Sequence, residues 1–299
     1  MNTKKVFSYI LLLLTNVIWG TTFVVVKDAV VSVSAFSLVT LRYLMAALLF
    51  LPFVLYYHFK RKLRPTSREW WGLFWATNLG LVIHAILQYT GLGLSSATNG
   101  AVLVSLSPLL VMAFNIRFRG QKVSWIQGFG SLLSLVGIVI LVHPSFSLTS
   151  SKLLGDILFL STAFTWAGYS LVCTDLTDKL PPFYITSVIG VMAGLEMGVV
   201  MVPFGFWGEL GHYSASIWLA AGYLALFSSF FCYIFWNKGL QVLGSTSTSN
   251  FLFIMPVVSA IGSAIFLGER LKVLEAAGAL LILWGVWTVA HYEERKARA

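Results

Sequence analysis

The sequence predicts an all-α integral membrane protein, with ten transmembrane helices arranged as two inverted five-helix repeats. Three observations predict it. The 299 residues are 58% hydrophobic and only 10% charged. The apolar residues gather in runs of about 20, the length that crosses a bilayer as a helix. The landmarks of the first half return in the second at a fixed interval. An average soluble domain carries roughly 25% charged residues, so lipid, not water, is the solvent for most of this chain.

The spans are expected at 6–26, 36–57, 70–93, 97–116, 124–142, 153–173, 183–206, 215–237, 246–267 and 273–291. The first follows Lys4 and Lys5, lacks a small-residue cleavage site, and reads as an anchor rather than a removed signal peptide. The second carries Arg42, and the third opens on Trp70-Trp71 and holds His84 and Gln88. The fourth opens on Thr98-Asn99 after Ser95-Ser96-Ala97 and is interrupted by Pro108. The fifth contains Gly130 and Gly137. The sixth begins at Gly155-Asp156 and holds Trp166 and Tyr169. The seventh carries Gly190, Gly194, Gly198 and Glu196, and the eighth Phe230, Tyr233 and Asn237. The ninth opens on the polar run Ser245 to Asn250 and is interrupted by Pro256. The tenth contains Gly278 and Gly285. The runs lack period-two alternation, which excludes a barrel. Lipid offers the backbone no hydrogen bonds, which leaves helices.

Trp19 answers Trp166 at an interval of 147 residues. Gly91, Pro108, Gly120, Gly130 and Gly137 answer Gly239, Pro256, Gly268, Gly278 and Gly285 at 148. The repeats are expected over 6–142 and 153–291, within one transmembrane domain. Lys and Arg fix an orientation. With the N-terminus cytoplasmic, fifteen fall inside and four outside (Lys27, Lys152, Arg270 and Lys272), with Arg42 inside a span. That bias satisfies the positive-inside rule. It also accounts for the net charge of +9 without nucleic acid. Trp70, Trp71, Trp125 and Trp207 near span ends form an aromatic belt. Five spans per half is odd, so the second half is inverted in the membrane, the ground plan of many secondary transporters.

Intramembrane polar residues are the functional candidates. His84 and Gln88 share a helix face and together suit an amino or carboxylate group. His84 is also a candidate for proton coupling. Interhelical hydrogen bonding is the alternative for both. Trp19 and Trp166, with Asn16 and Tyr169 one turn away, fit an aromatic chamber; Tyr233 and Asn237 would complete its wall. Asn99 and the run from Ser245 read equally as helix caps or as helix N-termini aimed at an anion; in the second reading Asn99 joins His84 and Gln88 as a substrate contact that takes the polar head. Pro108 and Pro256 are candidate hinges. Glu196 points away from the Gly190, Gly194 and Gly198 face. It reads as a protonated structural acid, with proton coupling as the alternative. Arg42, near 9 Å deep, reads as an anchor that snorkels outward or pairs with an acid, with ligand contact as the alternative. Asp156 and Glu269 read as topological or hinge-pairing charges. Cys173 and Cys232 read as small core residues. No nucleophile, metal or cofactor constellation is present, so neither an enzyme nor a cofactor is expected.

These residues together resemble the drug/metabolite transporter superfamily, in its ten-helix branch with two EamA domains. The resemblance rests on Trp19-Gly20 with Lys27, Arg42, Gly91 through Pro108, Gly155-Asp156, Trp166-Ala167, Pro256, Gly268-Glu269 and Gly278 through Gly285. Gly120-Gln121 departs from the Gly-Glu that often follows the fourth helix. The resemblance implies a central cavity lined mainly by helices one, three, four, six, eight and nine. It implies export of amino acids or similar small metabolites across the bacterial inner membrane, as in YddG-like exporters, with both termini cytoplasmic. An uptake permease, an efflux pump for cationic drugs or quaternary amines, and a non-transport scaffold or sensor are the rival readings.

Overall fold

A computed structural model describes residues 3–95, 97–142, 152–267 and 273–296. Residues Ser96, Gly268, Glu269, Arg270, Lys272 and Arg298, with the side chains of Lys27 and Thr98, lie outside that description. The described residues are almost wholly helical and hold no strand.

Span one is Thr3–Ala29 and span two is Ala35–Phe59. Ser34 caps span two by accepting from the Ser37 amide at 2.9 Å. Span three, Ser67–Leu94, starts on a reciprocal cap: Glu69 accepts from the Thr66 amide at 2.7 Å, and Thr66 Oγ1 accepts from the Glu69 amide. Span four is two helices, Ala97–Val104 and Ser107–Arg119. It ends on Gly120 at φ 62°, a left-handed cap that explains that glycine. Spans five, six and seven are Trp125–Val142, Leu153–Thr177 and Pro182–Val200. A single apolar stretch, Ala215–Gly262, follows. Gly244, at φ 77° and ψ 167°, divides it into spans eight and nine. Span ten is Val273–Lys296.

Lipid does not drive helices together, so close backbone approach must. The glycines supply it. A β-carbon on Gly130 would stand 2.8 Å from the Gly285 carbonyl oxygen, and one on Gly137 2.6 Å from that of Gly278. The earlier glycine of span five meets the later one of span ten, so the spans run antiparallel. Exchanging each residue for its partner 148 positions away turns one contact into the other. A pseudo-two-fold axis therefore passes between them. Spans two and seven also run antiparallel in close contact: Gly190 packs on Phe50, Gly194 on Ala47 and Gly198 on Leu44.

Polar side chains face inward, as Asn16, Thr40, Thr162, Thr186 and Asn237 are buried. Large apolar ones, such as Leu132, Leu195, Val199, Leu280 and Trp284, face outward. This is the arrangement a bilayer selects. Trp207, expected at the membrane boundary, is half exposed and donates to the Gly198 carbonyl at 3.0 Å. Cys173 and Cys232 are buried and free.

Gly137→Ala should lower stability by about 1–3 kcal/mol through overpacking. Gly128→Ala, whose β-carbon would meet nothing within 4 Å, should be neutral or gain up to about 1 kcal/mol from helix propensity. Thermal unfolding of both variants in detergent measures the difference.

Candidate functional site

Spans three and eight each relax into a π-helical stretch, Asn78–Val82 and Leu224–Phe231. Such stretches cluster at functional sites because they shift backbone hydrogen bonds and open carbonyls to other partners. Gly80 and Ser228 stand 148 residues apart, the repeat interval. The Gly80 carbonyl accepts from Tyr233 Oη at 3.1 Å. The Ser228 carbonyl accepts from Trp19 Nε1 at 3.0 Å. The two loosened backbones thus hold two of the expected chamber residues.

Around them the aromatic rings converge. Trp19 lies 5.6 Å from Trp166, 5.8 Å from Tyr233 and 5.5 Å from Trp236 between ring centroids. Trp166 lies 5.1 Å from Tyr169 and 5.3 Å from Trp236. Spans one, six and eight therefore supply one continuous cluster. His84 joins it from span three, 5.4 Å from Trp166 and hydrogen-bonded to Thr165 Oγ1 at 3.1 Å. Asn237 accepts from the Tyr169 hydroxyl at 3.3 Å and donates to Thr186 at 2.9 Å. Gln88 is half buried one turn from His84. Asn16, expected beside Trp19, donates to the Leu12 carbonyl of its own helix.

Three polar atoms here are buried without a partner: Trp166 Nε1, Trp236 Nε1 and Asn16 Oδ1. Each costs about 1–3 kcal/mol if it stays unmade. Two donors and one acceptor are thus left for something the protein does not supply. The nearby void lined by Tyr43, Phe50, Thr186, Ser229 and Tyr233 holds no more than about one water molecule. The rings pack on one another and leave only this small void beside them. Trp236 was absent from the expected chamber residues. Its place one turn after Tyr233, on the same face, was the available signal.

Other candidates stand elsewhere. Asn99 donates to both Asp156 carboxylate oxygens at 3.0 and 3.2 Å, and Ser95 Oγ to Oδ1 at 2.5 Å. Asp156 precedes Thr165 by nine residues, about 14 Å along span six. This cluster therefore ties the ends of spans three, four and six together rather than lining the chamber. At the opposite end Asn115 donates to Ser245 at 2.8 Å and Thr246 at 2.9 Å. Arg119 pairs there with Asp175. Glu196 accepts from Asn78 at 3.0 Å, away from the ring cluster.

Pro108 and Pro256 follow true breaks. Span four turns at Ser105-Leu106 before Pro108, and span nine passes through a 3₁₀ turn, Phe251–Phe253, before Pro256. Arg42 departs from expectation. It pairs with no acid among the described residues and does not snorkel. Its Nε donates to Ser229 Oγ at 2.7 Å, in the middle of span eight.

Duplicated halves, broken helices four and nine, and buried unpaired polar atoms at the repeat interface define a polytopic membrane protein of the transporter class. Comparison with known proteins gives the family. The EamA-like transporter family model matches residues 6–143 and 153–290, and the chain belongs to that family. It is 26% identical to an uncharacterized transporter of Archaeoglobus fulgidus over 96% of this chain and 97% of that one. It is 26% identical to the uncharacterized transporter YyaM of Bacillus subtilis over 96% and 94%. It is 28% identical to the uncharacterized inner membrane transporter YedA of Escherichia coli K12 over 92% and 89%. A solved crystal structure superposes with a TM-score of 0.78 at 17% identity, covering 96% of this chain and 98% of its own. At that identity it shows the fold alone. The protein is therefore a multi-pass membrane transporter and not an enzyme.

Tyr233→Phe removes only the hydroxyl and leaves the Gly80 carbonyl without that donor. It should cost about 1–3 kcal/mol. Tyr223→Phe should change stability by no more than about 0.5 kcal/mol. Thermal melting of the purified variants compares them.

Proposed function

We propose that this transporter exports small amphipathic metabolites, amino acids foremost, from the cytoplasm by alternating access of two inverted repeats. The observation that carries the reading is the ring cluster at the repeat interface, with Trp166 Nε1, Trp236 Nε1 and Asn16 Oδ1 buried and unpartnered. Aromatic faces suit an apolar side chain. Indole donors and an amide oxygen suit a polar head. Trp19, His84, Gln88, Trp166, Tyr169 and Tyr233 are the proposed contacts. Asn99 acts through the latch it forms with Asp156.

The breaks before Pro108 and Pro256 serve as hinges. Clusters at the two ends, Ser95–Asn99–Asp156 and Asn115–Ser245–Thr246, serve as gates that open in turn. Both termini face the cytoplasm in this reading, which the Lys and Arg distribution supports. Protons are the candidate coupling ion, with His84 and Glu196 as carriers. The site belongs to one transmembrane domain built from 6–142 and 153–291.

Counterflow in proteoliposomes with a panel of amino acids, amines and sugars, with and without a pH gradient, tests this. Accumulation of an amino acid is expected. Trp19→Ala with Trp166→Ala should reduce it by about tenfold or more. Unchanged counterflow in that double variant would remove the ring cluster from the transport path. Competition by quaternary amines but not by amino acids would replace amino-acid export with cation efflux.

A further inference from the structure

We infer that Arg42 is the anion-recognition group of the transport site and that it selects ligands bearing a carboxylate. The inference rests on the export reading above and deepens it.

The position of the guanidinium is unusual for a membrane arginine. Arg42 lies about 10 Å from the start of span two at Ala35. Ser229, which accepts from its Nε, lies about 20 Å from the start of span eight at Ala215. Those two starts share a membrane face, because Val33, Leu38 and Leu41 pack with Ile217, Ala221 and Leu224 in one apolar cluster. Deeper in, Phe50 meets Phe230 with ring centroids 4.7 Å apart. The side chain therefore reaches toward the middle of the membrane, away from the nearer interface. A snorkelling arginine does the reverse.

Its partners are incomplete. The Nε–H bond to Ser229 uses one of five guanidinium donors. The charge also lies over the Tyr43 ring at 5.3 Å, and both of these partners are neutral groups. Among the described residues no carboxylate pairs with it; Asp156 and Glu196 are held by Ser95, Asn99 and Asn78. An unpaired cation at this depth costs roughly 2.5–3.5 kcal/mol by insertion scales. Four N–H donors on Nη1 and Nη2 remain for a ligand.

The setting is the transport site. Ser229 is the neighbour of Ser228, whose carbonyl holds Trp19. Tyr43, Ser229 and Tyr233 line the one-water void. The planar fork of Nη1 and Nη2 matches the two oxygens of a carboxylate. One fixed positive charge neutralises one carboxylate; a dianionic phosphate would leave net negative charge in the membrane. The aromatic cluster next door then takes the rest of the molecule.

The test uses the full-length protein in detergent and in proteoliposomes. The probes are L-phenylalanine, L-leucine, L-threonine and 3-phenylpropionate, each beside its amide. In the wild type, at least one acid should raise the melting temperature more than its amide does. Arg42→Gln should weaken that acid about ten- to a hundredfold and abolish the difference from the amide. Arg42→Lys keeps the charge without the fork. It should retain an acid preference with affinity reduced several-fold, and it serves if the glutamine variant does not fold. Equal stabilisation by every acid and amide, or none by any, overturns the inference. So does an acid preference that survives Arg42→Gln. Acid binding that depends on Arg42 without counterflow of any probe would sink the export reading and leave the carboxylate site standing. Counterflow indifferent to the carboxylate would do the opposite.

Discussion

The constraint on which this structure depends is that a membrane interior gives the backbone nothing to bond to. A helix that departs from regular geometry must find partners for the groups it frees. Here the departures come in matched pairs: π-helical stretches in spans three and eight, and breaks in spans four and nine. The carbonyls of Gly80 and Ser228 take Tyr233 and Trp19 as donors. The need to satisfy two backbone oxygens thereby orients two aromatic side chains. Those two draw in Trp166, Tyr169 and Trp236 through ring contacts, each worth about 0.5–1.5 kcal/mol beyond the area buried. The site is, in this sense, a consequence of irregular helices in lipid.

Close packing at the periphery frees the centre to be irregular. Spans five and ten touch backbone to backbone through Gly130, Gly137, Gly278 and Gly285, and spans two and seven through Gly194 and the Tyr43 carbonyl. These contacts have little freedom, since a single methyl group would strike a carbonyl oxygen. Spans four and nine have the opposite character. Each is split, and each opens on polar residues that bond to neighbouring spans rather than to lipid. A rigid glycine-lined frame around jointed central helices is a division of labour that alternating access can use.

Much of this was legible in the sequence. Apolar run length gave the spans, and the spacing of tryptophan, proline and glycine gave the duplication. Helical spacing and repeat position mark Trp19, Trp166, Tyr169 and Tyr233, and their rings meet. The π-helical stretches were not legible. Asn78–Val82 and Leu224–Phe231 have ordinary apolar composition, and backbone slippage leaves no mark on hydropathy. Asn99 resembled a chamber residue because spacing cannot reveal that Asp156 lies across from it. The same holds for Arg42. Sequence gives the depth of a Cα, whereas the direction of a long side chain depends on which helix stands opposite.

The repeat also explains why the site is lopsided. His84, Ala85 and Gln88 of span three occupy the positions of Cys232, Tyr233 and Trp236 in span eight, 148 residues on. Trp19 meets two large rings of span eight, whereas the matching positions of span three hold a methyl group and an amide. Trp166 leans instead on His84 and on the rings of the second half. Small and polar groups thus lie on one side of the cluster and aromatic faces on the other. Arg42 sharpens the contrast, because its counterparts at the two repeat intervals are Ile189 and Gly190. A symmetric frame moves both halves alike, but a solute with one polar end and one apolar end is recognised only by an asymmetric lining. In the proposed transport cycle the glycines and prolines would serve the first demand, and His84, Gln88, Arg42 and Trp236 the second.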